Sequence, residues 1–245
     1  MRAEVALAAC LAACTPTAAF AQVGGGRFRL SVNGGAQLSD NTVSQSFSVE
    51  KNLEPAPITS NAGEKRGSVV DAGVAARIKG RFGAGFAISY FTHRATADIT
   101  AMIPHPFFFN QPRTLTGTTG MNRTETASHI QAIVQVPAGQ RVDVLLSAGP
   151  SYFHLDQTVV TDVLFGDAYP FDAPAFSEAT KSGITTNKLG YNVGADVTWK
   201  LSRVLGVGVL IRYTRATASV TFTNNPNVTL TLGGLQTAAG VRIPF

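Results

Sequence analysis

Cysteine is nearly absent, and its placement matters: Cys10 and Cys14 both fall within the first 21 residues. A chain cleaved after Ala21 would hold no thiol, which excludes a disulfide, a thiolate nucleophile and a cysteine metal site. Histidine is also scarce. His93, His105, His129 and His154 stand singly, with no carboxylate or histidine partners at ligand spacing, so no metal is expected. No glycine-rich phosphate loop leads from a strand into a helix, so no nucleotide or other cofactor is expected. The cations are dispersed and not interleaved with aromatics, which argues against nucleic acid as a partner. After the N-terminal segment no apolar run approaches the roughly 18 residues a membrane helix needs. A helical membrane protein is thereby excluded. Charged residues make up 14% of the chain and mean hydropathy is +0.12, values that suit a barrel with a polar lumen and an apolar exterior.

The N-terminus is a targeting segment. Arg2 is followed by the apolar stretch from Val5 to Ala13, and Ala19-Phe20-Ala21 offers small residues where a signal peptidase cuts. Residues 1–21 are therefore expected to be a signal peptide. Leu11-Ala12-Ala13-Cys14 offers a second reading, lipidation of Cys14. Both readings export the protein. Arg2 and Glu4 cancel, so the mature chain keeps the net charge of +5.

Period-two alternation dominates the remainder of the chain. Phe28, Leu30, Val32, Ala36 and Leu38 share one face, with Arg29, Ser31, Asn33 and Gln37 on the other. The same pattern recurs in seven further segments, beginning near Val70, Phe82, Ile130, Val142, Leu189, Val207 and Val228. The sixth is the most regular, with Leu189, Tyr191, Val193, Ala195, Val197 and Trp199 opposite Gly190, Asn192, Gly194, Asp196 and Thr198. Short connections around Gly80, Gly139 and Ser202 alternate with longer or apical ones at about 39–66, 92–124, 156–187 and 224–227. Outer-membrane barrels have short periplasmic turns, long external loops and an even strand count. The expected fold is an all-β, transmembrane, antiparallel up-and-down β-barrel of eight strands over residues 22–245. A ten-strand count remains open, because 42–50 and 94–103 also look extended. In an eight-strand barrel those stretches would be strands continuing above the membrane.

The last strand places Leu235, Ala239, Val241, Ile243 and Phe245 outward, with Gln236, Gly240 and Arg242 inward. Val241, Ile243 and the terminal Phe245 form an assembly signature: a last strand ending in Phe resembles the signal read by the barrel assembly machinery. On these patterns the mature chain resembles the eight-stranded outer-membrane barrels of the OmpA and OmpX type. The resemblance is one of pattern and not of a unique motif. It implies a monomer in the outer membrane of a Gram-negative cell, surrounded by lipid and lipopolysaccharide. It further implies a role in envelope stability, adhesion or host contact. Two departures from that type are expected: no peptidoglycan-binding domain after Phe245, and loops longer than those of a minimal barrel.

An eight-stranded barrel is filled by its own side chains. The inward positions supply Arg29, Arg77, Arg212 and Arg242 against Asp71, Glu125, Asp143 and Asp196, a balanced set expected to form a lumen ion-pair network. Outward aromatics near strand ends, among them Phe28, Phe82, Tyr90, Trp199 and Tyr213, suit interfacial girdles. Catalysis is not expected. Ser128 and His129 point to opposite faces of one strand, as do Ser151 and His154, and no Gly-x-Ser-x-Gly elbow occurs. The most unusual loop holds Phe107, Phe108 and Phe109 among Pro104, Pro106 and Pro112. The rings are expected to pack under Tyr169, Phe171 and Phe176 as a capped satellite core. The other reading of the same residues is an external binding tip. The function expected is structural, adhesive or recognitive, with a filled lumen; a narrow porin-like pore and a lipid-acting enzyme are the alternatives.

Overall fold

Residues alternating between lipid and a polar lumen, punctuated by turns, can satisfy their backbone groups in a bilayer only by closing into a ring. The computed structural model describes residues 27–222 and 225–245 and shows that ring. The signal peptide, the Cys14 reading and Asn224 of the last connection lie outside the described residues. The strands are β1 (Phe28–Lys51), β2 (Glu54–Lys79), β3 (Phe82–Pro104), β4 (Pro112–Pro137), β5 (Val142–Gly166), β6 (Ala175–Lys200), β7 (Gly206–Phe222) and β8 (Asn225–Pro244). Each pairs antiparallel with the next, and β1 pairs with β8 to close the barrel. Closure runs from Arg29 opposite Pro244 to Leu38 opposite Leu235. At its end Phe28 and Phe245 exchange two backbone hydrogen bonds of 3.0 Å and stack their rings at 5.8 Å.

Three segments expected as loops, 39–66, 92–124 and 156–187, are strand over most of their length. The true connections are Asn52–Leu53, 105–111 and 167–174. The stretches 42–50 and 94–103 belong to β1 and β3, so the count is eight and not ten. The tight connections fall where expected, with Gly80 at φ +60° and Gly139 at φ +140°, a region that a residue with a Cβ rarely adopts.

About 9–11 residues of a tilted strand cross the hydrocarbon, whereas β2, β4 and β6 each run for 26. The surplus stands above the membrane, and the polarity of the faces inverts there. Along β3 the outward row passes from Phe82, Phe86, Ile88 and Tyr90 to Thr92, Arg94, Thr96 and Asp98. The inward row passes from Ser89 to Phe91, Ala97, Ile99, Ala101 and Ile103, all buried. Lipid outside selects apolar residues below; water outside selects polar ones above and drives the apolar ones inward.

The ring divides at the same level. The β4–β5 ladder runs up to Arg123 opposite Gln157, and the β6–β7 ladder up to Tyr191 opposite Arg215. Strands β1 to β4 continue higher as one sheet, reaching Lys51 opposite Glu54 and Pro104 opposite Pro112. The β5–β6 hairpin continues to Gly166 opposite Ala175 and packs onto that sheet. Phe47, Ile58, Ile99, Ile103, Leu115, Met121, Val160 and Val163 form the core between them. Phe176 also packs here, its ring so close to Gly117 that a Cβ there would lie 2.3 Å away. A second core of Phe153, Leu155, Leu230 and Leu232 floors the extension over the lumen. The protein is a barrel in the membrane and a two-layered sheet above it.

Candidate functional site

The lumen charges fall into separate clusters instead of one network. Arg212 Nη1 donates to Asp71 Oδ2 at 2.8 Å, and Asn33 Nδ2 to Asp71 Oδ1 at 2.9 Å. Arg242 donates to Asp196 Oδ2 through Nη2 at 2.8 Å and Nε at 3.0 Å. Thr198 Oγ1 donates to Asp196 Oδ1 at 2.9 Å and accepts from Arg29 Nη1 at 3.1 Å. Glu125 and Asp143 have partners outside the expected set: Arg123 Nε at 2.7 Å and Lys200 Nζ at 2.6 Å. Arg77 is exposed at the periplasmic mouth. Parity marks Arg123 as inward, two residues before Glu125 on β4. Lys200 also keeps the inward parity of β6, although it abuts a turn.

Arg123 occupies the boundary between lumen and extension. Its Nη2 donates to the Thr231 carbonyl at 2.6 Å and its Nη1 to Gln157 Oε1 at 3.3 Å. Glu125 Oε2 accepts from the Gly233 amide at 3.0 Å. One ion pair thus ties β4 to β5 and β8 where the ring begins to divide.

His129 is fully buried between two serines, with Nε2 3.0 Å from Ser89 Oγ and Nδ1 2.8 Å from Ser151 Oγ. Asn192 Nδ2 donates to Ser151 Oγ at 2.9 Å, and Gln131 Nε2 to Asn192 Oδ1 at 2.9 Å. This chain ties four strands together and leaves no carboxylate beside the imidazole. Ser128 lies on the outer face, opposite His129. His154 sits 3.4 Å from Asp156 on the outer surface, whereas Ser151 is buried inside. The cavity beside Asp71 and Arg212 amounts to ≈ 30 Å³.

The far end is different in character. Phe107, Phe108 and Phe109 are 69%, 57% and 70% exposed, beside Tyr169 at 88% and Leu53 at 81%. The expected packed cap is therefore overturned. The rings contact one another at the summit instead of sinking under it. Phe107 meets Phe171 edge-on at 5.2 Å, Tyr169 meets Phe171 at 6.2 Å, and His105 lies against Phe108 at 4.8 Å. Phe176, an expected partner, is committed to the core below. Three prolines and the short reach of a seven-residue connection, 105–111, keep the rings from folding back over the sheet.

A polar clamp fixes this crown. Arg113 is buried and grips Asp167 with two hydrogen bonds, of 2.6 and 2.9 Å. It also donates to the Phe171 carbonyl at 2.7 Å and to the Pro104 carbonyl at 3.1 Å. Asn52 Nδ2 donates to the same Pro104 carbonyl at 2.8 Å, and Glu54 accepts from the Asn110 amide at 3.0 Å. Three connections are thereby locked together, as paired hydrogen bonds of a guanidinium to a carboxylate do well. Arg113 and Asp167 lie 54 residues apart, a separation no local pattern reveals.

No protein-family model matches this sequence, and no curated protein matches it. Among solved structures, the outer membrane protein OprG of Pseudomonas aeruginosa aligns with a TM-score of 0.50 at 9% identity, over 91% of this chain and 98% of that one. Neisserial surface protein A aligns at 0.42 and 14% identity, over 91% and 100%. The outer membrane protease OmpT of Escherichia coli aligns at 0.48 and 8% identity, over 91% and 99%. At such identities the likeness speaks for the fold alone. With its closed ring, apolar belt and polar lumen, the chain is an eight-stranded β-barrel of the outer-membrane type, seated in the cell outer membrane.

Proposed function

We propose that this barrel is a non-catalytic surface-recognition protein that carries an aromatic crown above the outer membrane to bind a hydrophobic partner surface. The observation that carries this reading is the crown: Phe107, Phe108, Phe109, Tyr169 and Phe171 gathered at one end with three of the phenylalanines facing solvent. Leaving such rings in water forgoes about 1.5–3 kcal/mol each, and clustered exposed apolar groups mark interaction sites. Aromatics also supply rigid contact area at low entropic cost. The Arg113 clamp holds them in place before any partner arrives.

The filled lumen supports the non-conducting part of this reading, because ion pairs and hydrogen bonds occupy the space a pore would need. Both His129 nitrogens are engaged by serine hydroxyls with no carboxylate to orient the ring, which supports the non-enzymatic part. Lipopolysaccharide and membrane lipid would surround the belt, and the barrel assembly machinery would meet the strand ending at Phe245.

The test is adhesion of cells displaying equal amounts of wild type or a Phe107→Ser, Phe108→Ser, Phe109→Ser variant to hydrocarbon droplets and to epithelial monolayers. The variant is expected to fall to the level of cells lacking the protein. Undiminished adhesion by a correctly displayed variant would overturn the reading.

A further inference from the structure

Above the membrane belt, the large apolar residues exposed among those described are Leu53, Phe107, Phe108, Phe109, Leu164 and Tyr169, and all stand at the summit. The strand walls between belt and summit present none among the described residues, so the crown is a second, separate apolar zone. On β3 about 13 residues lie between Tyr90, in the belt, and Ile103, beneath the crown. At about 3.3 Å per residue they span roughly 40 Å of strand, which carries the rings well above the belt. The charge of this end is also distinct. The chain as a whole is +5, yet the summit holds Glu50, Glu54, Asp162, Asp167, Asp172 and Glu178 against Lys51 and Arg113. Both cations are spent: Lys51 pairs with Asp162 at 2.8 Å and Arg113 with Asp167 at 2.6 Å. Glu54 accepts from the Asn110 amide. Glu50, Asp172 and Glu178 are exposed and pair with no cation among the described residues.

We propose that the crown docks on a bilayer rich in phosphatidylcholine, an inference that rests on the recognition role proposed above. The outermost group of that lipid is a trimethylammonium cation, which donates no N–H bond and is recognised by aromatic faces and nearby negative charge. The crown supplies both. Phe171 meets Phe107 with ring planes 69° apart and Tyr169 with planes 87° apart, so the rings turn their faces in different directions. Phe107 and Tyr169 keep most of their surface open. Asp172 follows Phe171 directly, and Glu50 lies on the strand that leads to Leu53. Aromatic rings also settle at headgroup depth, where the belt of this barrel places Phe28, Phe82 and Trp199. A surface of anionic lipid presents a negative potential, which repels the same carboxylates. The rings stand on three separate connections and form a convex tip. A bilayer interface yields to such a tip, whereas a protein partner needs a recess of matching outline.

The test places the barrel in nanodiscs of phosphatidylethanolamine and phosphatidylglycerol and measures its flotation with large vesicles of phosphatidylcholine or of phosphatidylglycerol. Empty nanodiscs give the background, and heat-modifiable gel migration checks the folding of each variant. Wild type is expected to float with phosphatidylcholine vesicles at about one-tenth of the lipid that phosphatidylglycerol vesicles require. The Glu50→Gln, Asp172→Asn, Glu178→Gln variant should lose that preference, the two lipids then differing by less than about twofold. The Phe107→Ser, Phe108→Ser, Phe109→Ser variant should float with neither. Wild type that floats equally with both lipids, or a carboxamide variant that keeps the full preference, overturns the proposal. So does wild type that floats with neither. In that last case, adhesion to hydrocarbon and monolayers that still depends on the three phenylalanines leaves the recognition role standing with a protein partner in place of lipid. Adhesion independent of them removes both.

Discussion

Arg212 on β7 reaches across the lumen to Asp71 on β2, Nη1 to Oδ2 at 2.8 Å, joining two strands that are not neighbours in the ring. Both side chains are buried, so neither charge has water to fall back on. Arg212→Ala is expected to destabilise the barrel by about 3–5 kcal/mol, since it strands Asp71 in the lumen. Adding Asp71→Asn should recover part of the loss by removing the orphaned charge. Urea unfolding in vesicles measures both. A double variant no more stable than the single one would show that the pair is not the cause.

The membrane half of this architecture is legible because one solvent, lipid, lies outside every strand there. Counting by twos from Phe245 separates lumen residues such as Arg242 and Gln236 from lipid-facing Ile243 and Val241, and the strand count follows from the turns at Gly80, Gly139 and Ser202. The extension is less legible because the sign of the alternation reverses: Ile99 and Ile103 point inward and Thr96 and Thr100 outward, so average polarity resembles a loop. The crown is legible as residues but not as packing. Its support is an ion pair between Arg113 and Asp167, and Phe176, which could have covered it, is instead committed to the core.

The seam between first and last strands depends on absent side chains. A Cβ on Gly240 would lie 1.9 Å from the Val32 carbonyl oxygen on the neighbouring strand. Backbone cannot yield as a flexible side-chain end can, so Gly240→Val is expected to prevent closure of β8 on β1. On the other side of β8, Gly233, at φ +84° and with Thr214 O 2.4 Å from the Cβ position, is a close approach to β7. Gly233→Ala should cost about 1–3 kcal/mol from backbone strain alone. Heat-modifiable migration after refolding reports both, with Gly240→Val trapped in the unfolded band and Gly233→Ala folded but shifted to lower urea.

Ile99 and Ile103 sit in the core of the extension, above the belt. Ile99→Asp would bury a charge there with no partner in an apolar cluster, a change expected to unfold the upper sheets while leaving the ring in the bilayer intact. Limited proteolysis of vesicle-inserted protein distinguishes the halves. The variant should lose residues above the Tyr90 level quickly and retain a protected membrane fragment. Complete resistance would mean that the extension does not depend on this core.

Arg113 touches no crown ring directly through its guanidinium, yet it holds the two connections that carry them. Asp167 and the Phe171 carbonyl belong to the β5–β6 connection, and the Pro104 carbonyl leads into the β3–β4 one. Arg113→Gln keeps every aromatic but cannot span both carboxylate oxygens, and leaves Asp167 partly buried without its partner. The expected outcome is a barrel of nearly unchanged urea midpoint whose tip is cut rapidly within 105–111 and 167–174 and whose hydrocarbon adhesion falls severalfold. Arg113→Lys should restore little, because an ammonium lacks the planar fork that reaches Asp167 and two carbonyls together. The Phe107→Ser, Phe108→Ser, Phe109→Ser variant should lose adhesion with its tip still resistant to protease. If Arg113→Gln retained full adhesion despite rapid cleavage-site exposure, the rings alone would suffice, and preorganisation by the clamp would play no part in recognition.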